Sequence, residues 1–189
     1  MLKEADVLAE NAVTVAYSYI GPELTYPIYY DGTIGQAKRH LTKTAEKINE
    51  KYSDIRAYIS VNKALVTQAS AAIPIVPLYF AILYKVMKVQ GTHEGCIEQI
   101  SRLFHEKLFV EKPITDEQGR IRMDDWELSD EVQDKVMECW KNVTTENVAE
   151  LSDIDGYWQD FYQMFGFHLD GVDYAKDVDL EVAIPSLEK

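Results

Sequence analysis

An α/β fold built on a parallel sheet is what this sequence predicts, and three observations carry it. Residues 12–20 are β-branched, small and aromatic, and they stop at Gly21-Pro22, the pattern of a strand running into a loop. From Ile34 the apolar period lengthens, with Ile34, Leu41, Ala45 and Ile48 on one face and Lys and Glu elsewhere, an amphipathic helix ending near Tyr52. Arg56 to Asn62 then reads as a second strand, followed by a link from Lys63 to Ser70 and a helix expected from Pro74 to Val89. Strand, helix, strand, helix implies βαβ units, whose ligands bind beyond the carboxyl ends of the strands. The loops 20–32 and 63–70 emerge on that rim.

The remaining elements follow the same signals. Thr92 or His93 opens a helix on which Ile97, Ile100, Leu103, Phe104 and Leu108 form the expected buried stripe. Asp116 to Gly119 is a turn, and Arg120 to Met123 a short strand. Ser129 is the expected N-cap of one helix, and Ser152-Asp153 begins another that closes at Gly166. The acidic tail ends in a segment containing Pro185 that is expected to be mobile.

A chain of 189 residues with 47% hydrophobic content is long enough for one domain with a sizeable core. Its formal net charge of -13 argues against nonspecific binding to nucleic acid or to an anionic membrane, because both partners are negative. The acidity is uneven: acids dominate from Asp124 onward, whereas Lys38 to Lys51 is mixed and partly basic, the place where a phosphate-bearing ligand would dock. Cys96 and Cys139 are far apart, with no spacing of a disulfide framework or zinc site, and the acidic start lacks a signal-peptide pattern; a cytoplasmic protein is expected. The longest apolar run, Ala71 to Tyr84, is broken by Pro74 and Pro77 and stops at Lys85, so no integral membrane segment is expected.

Chemistry is concentrated at Tyr29 and Lys38, with eight residues between them, where a turn enters a helix. A phenol can supply a proton, and a nearby ammonium stabilises the developing phenolate. Without wider context Tyr29 reads as a half-buried loop tyrosine and Lys38 as a solvated first-turn lysine. The fingerprint Gly-x-Gly-x-x-Gly is absent, since Gly32 and Gly35 merely flank Thr33-Ile34. His93-Glu94 does not open a His-Glu-x-x-His site, because Ile97 occupies the last position, and no metal is expected. Asp124, Asp125 and Glu127 read as capping and solvation at a helix approach.

Several ordered words raise the pair above chance: Ala16-Tyr17-Ser18-Tyr19-Ile20-Gly21-Pro22-Glu23, Asp31-Gly32-Thr33-Ile34-Gly35, Leu65-Val66-Thr67, Ala69-Ser70-Ala71-Ala72-Ile73-Pro74, Lys85-Val86-Met87-Lys88, His93-Glu94-Gly95-Cys96-Ile97-Glu98-Gln99 and Asp124-Asp125-Trp126-Glu127-Leu128. With them the chain resembles the trans-2-enoyl-CoA and enoyl-acyl-carrier-protein reductases of the FabV/TER type, over about the C-terminal half of that family. The resemblance implies the C-terminal half of a Rossmann-like parallel sheet with a helix-rich C-terminal extension. It divides one partial domain into the catalytic part, 1–91, and an acidic helical part, 92–189. The glycine-rich nucleotide loop belongs to the family's N-terminal half.

The resemblance further implies NADH as cofactor, an enoyl-CoA or enoyl-acyl-carrier-protein substrate in fatty acid synthesis, and the missing N-terminal half as a partner. Residue by residue, Tyr29 falls on the family's proton donor and Lys38 on the paired lysine that contacts the nicotinamide nucleotide. Tyr19 falls on a substrate-binding tyrosine, and Leu65, Val66 and Thr67 on a segment lining the cofactor. Tyr30 and Asp31 receive no role. The bland readings are packing for Tyr19 and core positions for Leu65 and Val66, with Thr67 alone bearing a hydrogen-bonding side chain. The competing function is an inactive truncated fragment or a noncatalytic acyl-thioester-binding module.

Overall fold

The computed structural model describes residues 2–181. The expected tail segment containing Pro185 lies outside them.

Three parallel strands form the sheet in the order β1-β2-β3. β1 (Ala12–Ser18) pairs with β2 (Ile55–Val61) over its whole length, Ala12 opposite Ile55 and Ser18 opposite Val61. β3 (Arg120–Arg122) adds to the other side, Arg120 opposite Ile59. β2 is the central strand and is largely buried, whereas β1 lies at the edge with Val13 45% and Tyr17 48% exposed. The strand expected through Ile20 ends at Ser18, because Gly21 takes a left-handed φ of +77° and turns Tyr19 and Ile20 out of the ladder.

The crossover helix α1 (Thr33–Lys51) packs on β2 as its amphipathic period predicts. Near its C-terminus the Asn49 carboxamide pairs with both backbone groups of Ala57, donating to the carbonyl and accepting from the N–H at 2.8 Å each. This side chain serves the strand as a local ladder partner.

After β2 comes the short helix α2 (Gln68–Ala71), then α3 (Val76–Gln90), which starts later than Pro74. Pro77 occupies the first turn, where its missing N–H costs nothing, and Gly91 closes the helix in the left-handed region. α3 is apolar nearly all round, and Tyr79 through Tyr84 and Met87 are buried. Such a helix must be enclosed. It is packed by α5 (Asp130–Asn142) through Val132 and Val136 and by α7 (Ile154–Gln163) through Tyr157. Ser129 caps α5 as expected, while α7 is capped by Asp153, not Ser152, whose hydroxyl instead donates to the Val148 carbonyl of α6 (Val148–Leu151).

The stripe expected on residues 97–108 is only half correct. α4 (Cys96–Arg102) runs into a π-helical turn, Leu103–Leu108, where Leu103 and Leu108 join Ile121 and Met123 in a second core. Ile97 is 75% exposed. The buried anchor of α4 is polar: Arg102 donates to Glu94 at 2.6 and 2.8 Å, to the Met123 carbonyl at 2.8 Å and to Asp125 at 3.0 Å, and lies 4.1 Å above the Trp126 ring. A helical period detects apolar faces, not a helix tethered by a guanidinium, and the π turn shifts the periodicity at Leu103.

His93 meets the Tyr84 ring edge-on at 4.5 Å, and burial, with Lys63 and Lys88 nearby and Asp153 opposing them, lowers its imidazole to about 4. That lies below its ordinary value, so the unfolded chain takes up the proton first as pH falls. This contribution to stability is complete above about pH 6.5 and is lost toward the folded value. Denaturant midpoints of the parent and His93→Gln should diverge less at pH 4.5 than at pH 7; a gap independent of pH would disprove the coupling.

Among the described residues no helix is long and apolar enough to cross a membrane, and no group of three His, Cys, Asp or Glu is placed to hold a metal ion. Cys96 and Cys139 are both free.

Candidate active site

The site is assembled from three segments that leave the sheet at its carboxyl end. Beyond β1, a 3-10 turn at Glu23–Thr25 leads into the Tyr26 to Tyr30 turn, which is closed by Tyr29 N–H on the Thr25 carbonyl at 3.0 Å and Asp31 N–H on the Tyr26 carbonyl at 2.9 Å. The turn docks directly on the start of α1. Gly35 N–H donates to the Tyr29 carbonyl at 3.1 Å, and a Cβ at Gly35 would stand 1.7 Å from the Tyr30 carbonyl oxygen. Arg39 completes the clamp, donating to that oxygen at 3.0 Å and covering the Tyr30 ring at 4.9 Å. With Tyr30 held on α1, Tyr29 faces the other way, its ring meeting Tyr19 edge-on at 5.2 Å and 74°.

A cavity of ≈ 460 Å³ opens here, and Tyr19, Tyr29, Lys38, Leu65 and Thr67 all line it. Ile34, Ile73 and Phe80 contribute apolar wall. Val66 is the exception among the residues singled out: its side chain belongs to the core, and its N–H donates to the Tyr84 hydroxyl at 3.1 Å. Thr67 caps α2 in a reciprocal box with Ser70. Lys38 also borders a smaller cleft of ≈ 320 Å³ with Arg39, Lys43 and Arg120, a cationic spot in an acidic chain.

Burial raises the Tyr29 phenol above its ordinary value and lowers the Lys38 ammonium. The expected depression of Tyr29 by Lys38 is therefore not what the structure has, because desolvation governs both groups. A raised phenol stays protonated at neutral pH, which is the form that donates.

Sequence reasoning missed Lys63, which lines the cavity, and two buried carboxylates elsewhere in the interior. Lys63, 1% exposed, donates to its neighbouring Ala64 carbonyl at 2.9 Å and sits 4.7 Å above the Tyr84 ring; desolvation lowers it to about 8. Asp124 and Glu127, expected to cap and solvate, are both fully buried. Asp124 is paired with Arg122 at 2.7 Å, and Glu127 accepts from Tyr19, Tyr79 and Ala64. Glu127 meets these partners across separations of 108, 48 and 63 residues, so no local pattern announces it.

An apolar cleft holding a protonated phenol and an ammonium beyond the carboxyl ends of parallel strands puts the molecule in the class of α/β folds that bind ligands at that rim. The comparisons narrow the class. Residues 1–109 match the family model described as trans-2-enoyl-CoA reductase catalytic region, and residues 115–178 match the enoyl reductase FAD binding domain. The chain belongs to the trans-2-enoyl-CoA reductase family. It is 57% identical over 187 residues to an enoyl-[acyl-carrier-protein] reductase [NADH] of Cytophaga hutchinsonii, covering 97% of this chain and 47% of the relative. It is 60% identical over 181 residues to a trans-2-enoyl-CoA reductase [NADH] of Clostridium perfringens, covering 95% and 46%. The crystal structure of the Clostridium acetobutulicum trans-2-enoyl-CoA reductase with NADH superposes with a TM-score of 0.90 at 55% identity, covering 94% of this chain and 46% of that one. That of Treponema denticola with NAD gives 0.89 at 50%, covering 94% and 45%. The chain thus spans about half the length of the relatives it matches.

The described residues fit one end of a nicotinamide nucleotide, offering an apolar wall, the Lys38 ammonium and the Thr67 hydroxyl in one cavity. Within residues 115–178 a cleft of ≈ 390 Å³ is lined by Trp158, Tyr162 and His168, with Asp155 and Gln159. Gly156 abuts the Asp153 carboxylate, 2.3 Å from where its Cβ would stand, and Gly119, Gly166 and Gly171 have nothing within 4 Å. The anionic neighbour of Gly156 would repel a phosphate there.

Proposed function

We propose that this chain supplies the proton-donor and substrate side of an NADH-dependent reductase acting on the trans-2 double bond of enoyl thioesters. The observation that carries the reading is the convergence of Tyr19, Tyr29 and Lys38 on one cavity in a member of this family. When bound, the reduced nicotinamide supplies a hydride to the substrate's β-carbon. Negative charge then builds on the thioester oxygen, and Tyr29 donates a hydrogen bond there, a general-acid and oxyanion role combined. Lys38 holds ribose hydroxyls, Leu65 and Thr67 border the nicotinamide, and Val66 contributes through its backbone and the core. Tyr19, with Phe80, walls the acyl side.

The glycine-rich pyrophosphate loop lies outside these residues in this reading, in the counterpart of the relatives' other half. The outer edge of β1 supports this, since parallel strands in α/β sheets are ordinarily buried on both sides and an exposed edge invites pairing. We read residues 1–91 and 92–189 as parts of one partial domain, in line with α3 packing on both α5 and α7. Mixed with NADH and crotonyl-CoA, the chain alone is expected to be inactive or nearly so, and addition of a relative's N-terminal half should start NADH oxidation. Silence in the reconstituted mixture, with complex formation verified, would count against the reading. Retained binding of crotonyl-CoA without turnover would favour an acyl-thioester-binding module.

A further inference from the structure

Glu127 stands behind the cavity residue Tyr19, fully buried, with three donors converging on its carboxylate. Its Oε2 accepts from Ala64 N–H at 2.6 Å, and its Oε1 accepts from Tyr79 at 2.7 Å and from Tyr19 at 3.0 Å. Gln133 secures the arrangement from α5, donating to the Tyr79 hydroxyl at 3.3 Å and to the Glu127 carbonyl at 2.6 Å. Burial pushes the carboxyl up, whereas the hydrogen bonds from Tyr79 and Ala64 and the charge of buried Lys63 oppose it. Three donors on two oxygens suit the ionised form, which only accepts. The three partners come from three cavity walls: the exit of β1, the segment after β2, and α3.

A phenol carries a single O–H. When Tyr19 donates its O–H to Glu127, its oxygen can only accept from any other group. Tyr29, packed against Tyr19 ring to ring, has no intramolecular hydrogen-bond partner for its hydroxyl among the described residues, so its proton is available. Nothing in the residue types distinguishes the two phenols; the carboxylate behind one of them does.

Resting on the reductase reading, we propose that Glu127 is a positioning residue that assigns the roles of the two tyrosines, holding Tyr19 as an acceptor and leaving Tyr29 as the donor to the thioester oxygen. Glu127→Gln tests the assignment with almost no change in volume. Ala64 N–H retains its acceptor only if the carboxamide oxygen turns toward it, so the NH2 then faces Tyr19 and Tyr79 and donates to them. The Tyr19 O–H is then freed from Glu127 and can turn to another acceptor.

Two measurements decide the matter, both made on the chain combined with a relative's N-terminal half. The first is the NMR signal of Cζ-labelled tyrosine, assigned by Tyr→Phe substitutions. The Tyr19 resonance is expected to shift in Glu127→Gln, and also in Tyr79→Phe, which removes the competing donor to the same oxygen and serves if the Glu127→Gln variant does not fold. An unmoved Tyr19 resonance overturns the proposal whether or not the protein turns over substrate. The second is a double-mutant cycle on kcat: the penalty of Tyr29→Phe should shrink by about tenfold or more in the Glu127→Gln background, because Tyr19 can then donate. A penalty of equal size in both backgrounds overturns the assignment while leaving the reductase reading intact. An inactive parent with a shifted Tyr19 signal would sink the reductase reading and retain the hydrogen-bond assignment.

Discussion

Replacing Tyr29 by Phe is expected to lower kcat of the reconstituted reductase by about a hundredfold or more, with the fold unchanged. The ring contact with Tyr19 survives the substitution, and the lost hydroxyl leaves no protein group without a partner, because the described residues give it none. The missing hydrogen bond is one that strengthens as charge gathers on the thioester oxygen, so kcat and kcat/KM should fall together while KM moves little. Burial holds the phenol above its ordinary value, so the parent should keep this donor throughout the neutral range. Steady-state kinetics with crotonyl-CoA, alongside thermal melts of both proteins, would check it. Full turnover by the Phe variant would remove Tyr29 from the mechanism.

The second large effect is expected at Gly35→Ala, a residue that bears no chemistry. A methyl group there would meet the Tyr30 carbonyl oxygen at 1.7 Å and its carbon at 2.4 Å, distances at which backbone must move. Either α1 shifts or the Tyr26 to Tyr30 turn lifts, and both alter how Tyr29 and Lys38 face one cavity. Overpacking of this kind costs about 1–3 kcal/mol and sometimes more. Misplacing a reacting group by about an ångström can cost about a hundredfold in rate. Gly119→Ala provides the comparison, since Gly119 has φ +69° but open space around its Cβ. It should show only backbone strain, about 1 kcal/mol, with turnover preserved. Parent-like melting and kcat in Gly35→Ala would refute the close approach.

Local periodicity made α1, β2 and the Ser129 cap legible, because each is encoded by neighbours within a turn or a strand. Tyr29 and Lys38 became specific only through the ordered family words; spacing alone left them as a loop tyrosine and a surface lysine. Gly35 was visible as a letter, but the reason for it is a carbonyl five residues earlier folding back onto a helix start. Ile97 misled because Arg102 and Glu94 anchor α4 with charge, so an apolar side chain on that helix carries no burden of burial. Glu127 was unreadable for the opposite reason: acids usually seek water, and the partners that keep this one in the interior arrive from distant parts of the chain.

The outer edge of β1 has a practical consequence. On the proposed reductase reading, a division alongside β1 would keep the Tyr29 and Lys38 side chains on one piece and the phosphate cradle on the other, so neither piece should signal by itself. Fused to two bait proteins, such pieces would form a complementation reporter whose output is the fading of NADH absorbance. Its background would be set by how readily the exposed β1 edge finds its mate unaided, and a charged substitution at Val13, outside the cavity, would be the means of adjusting it.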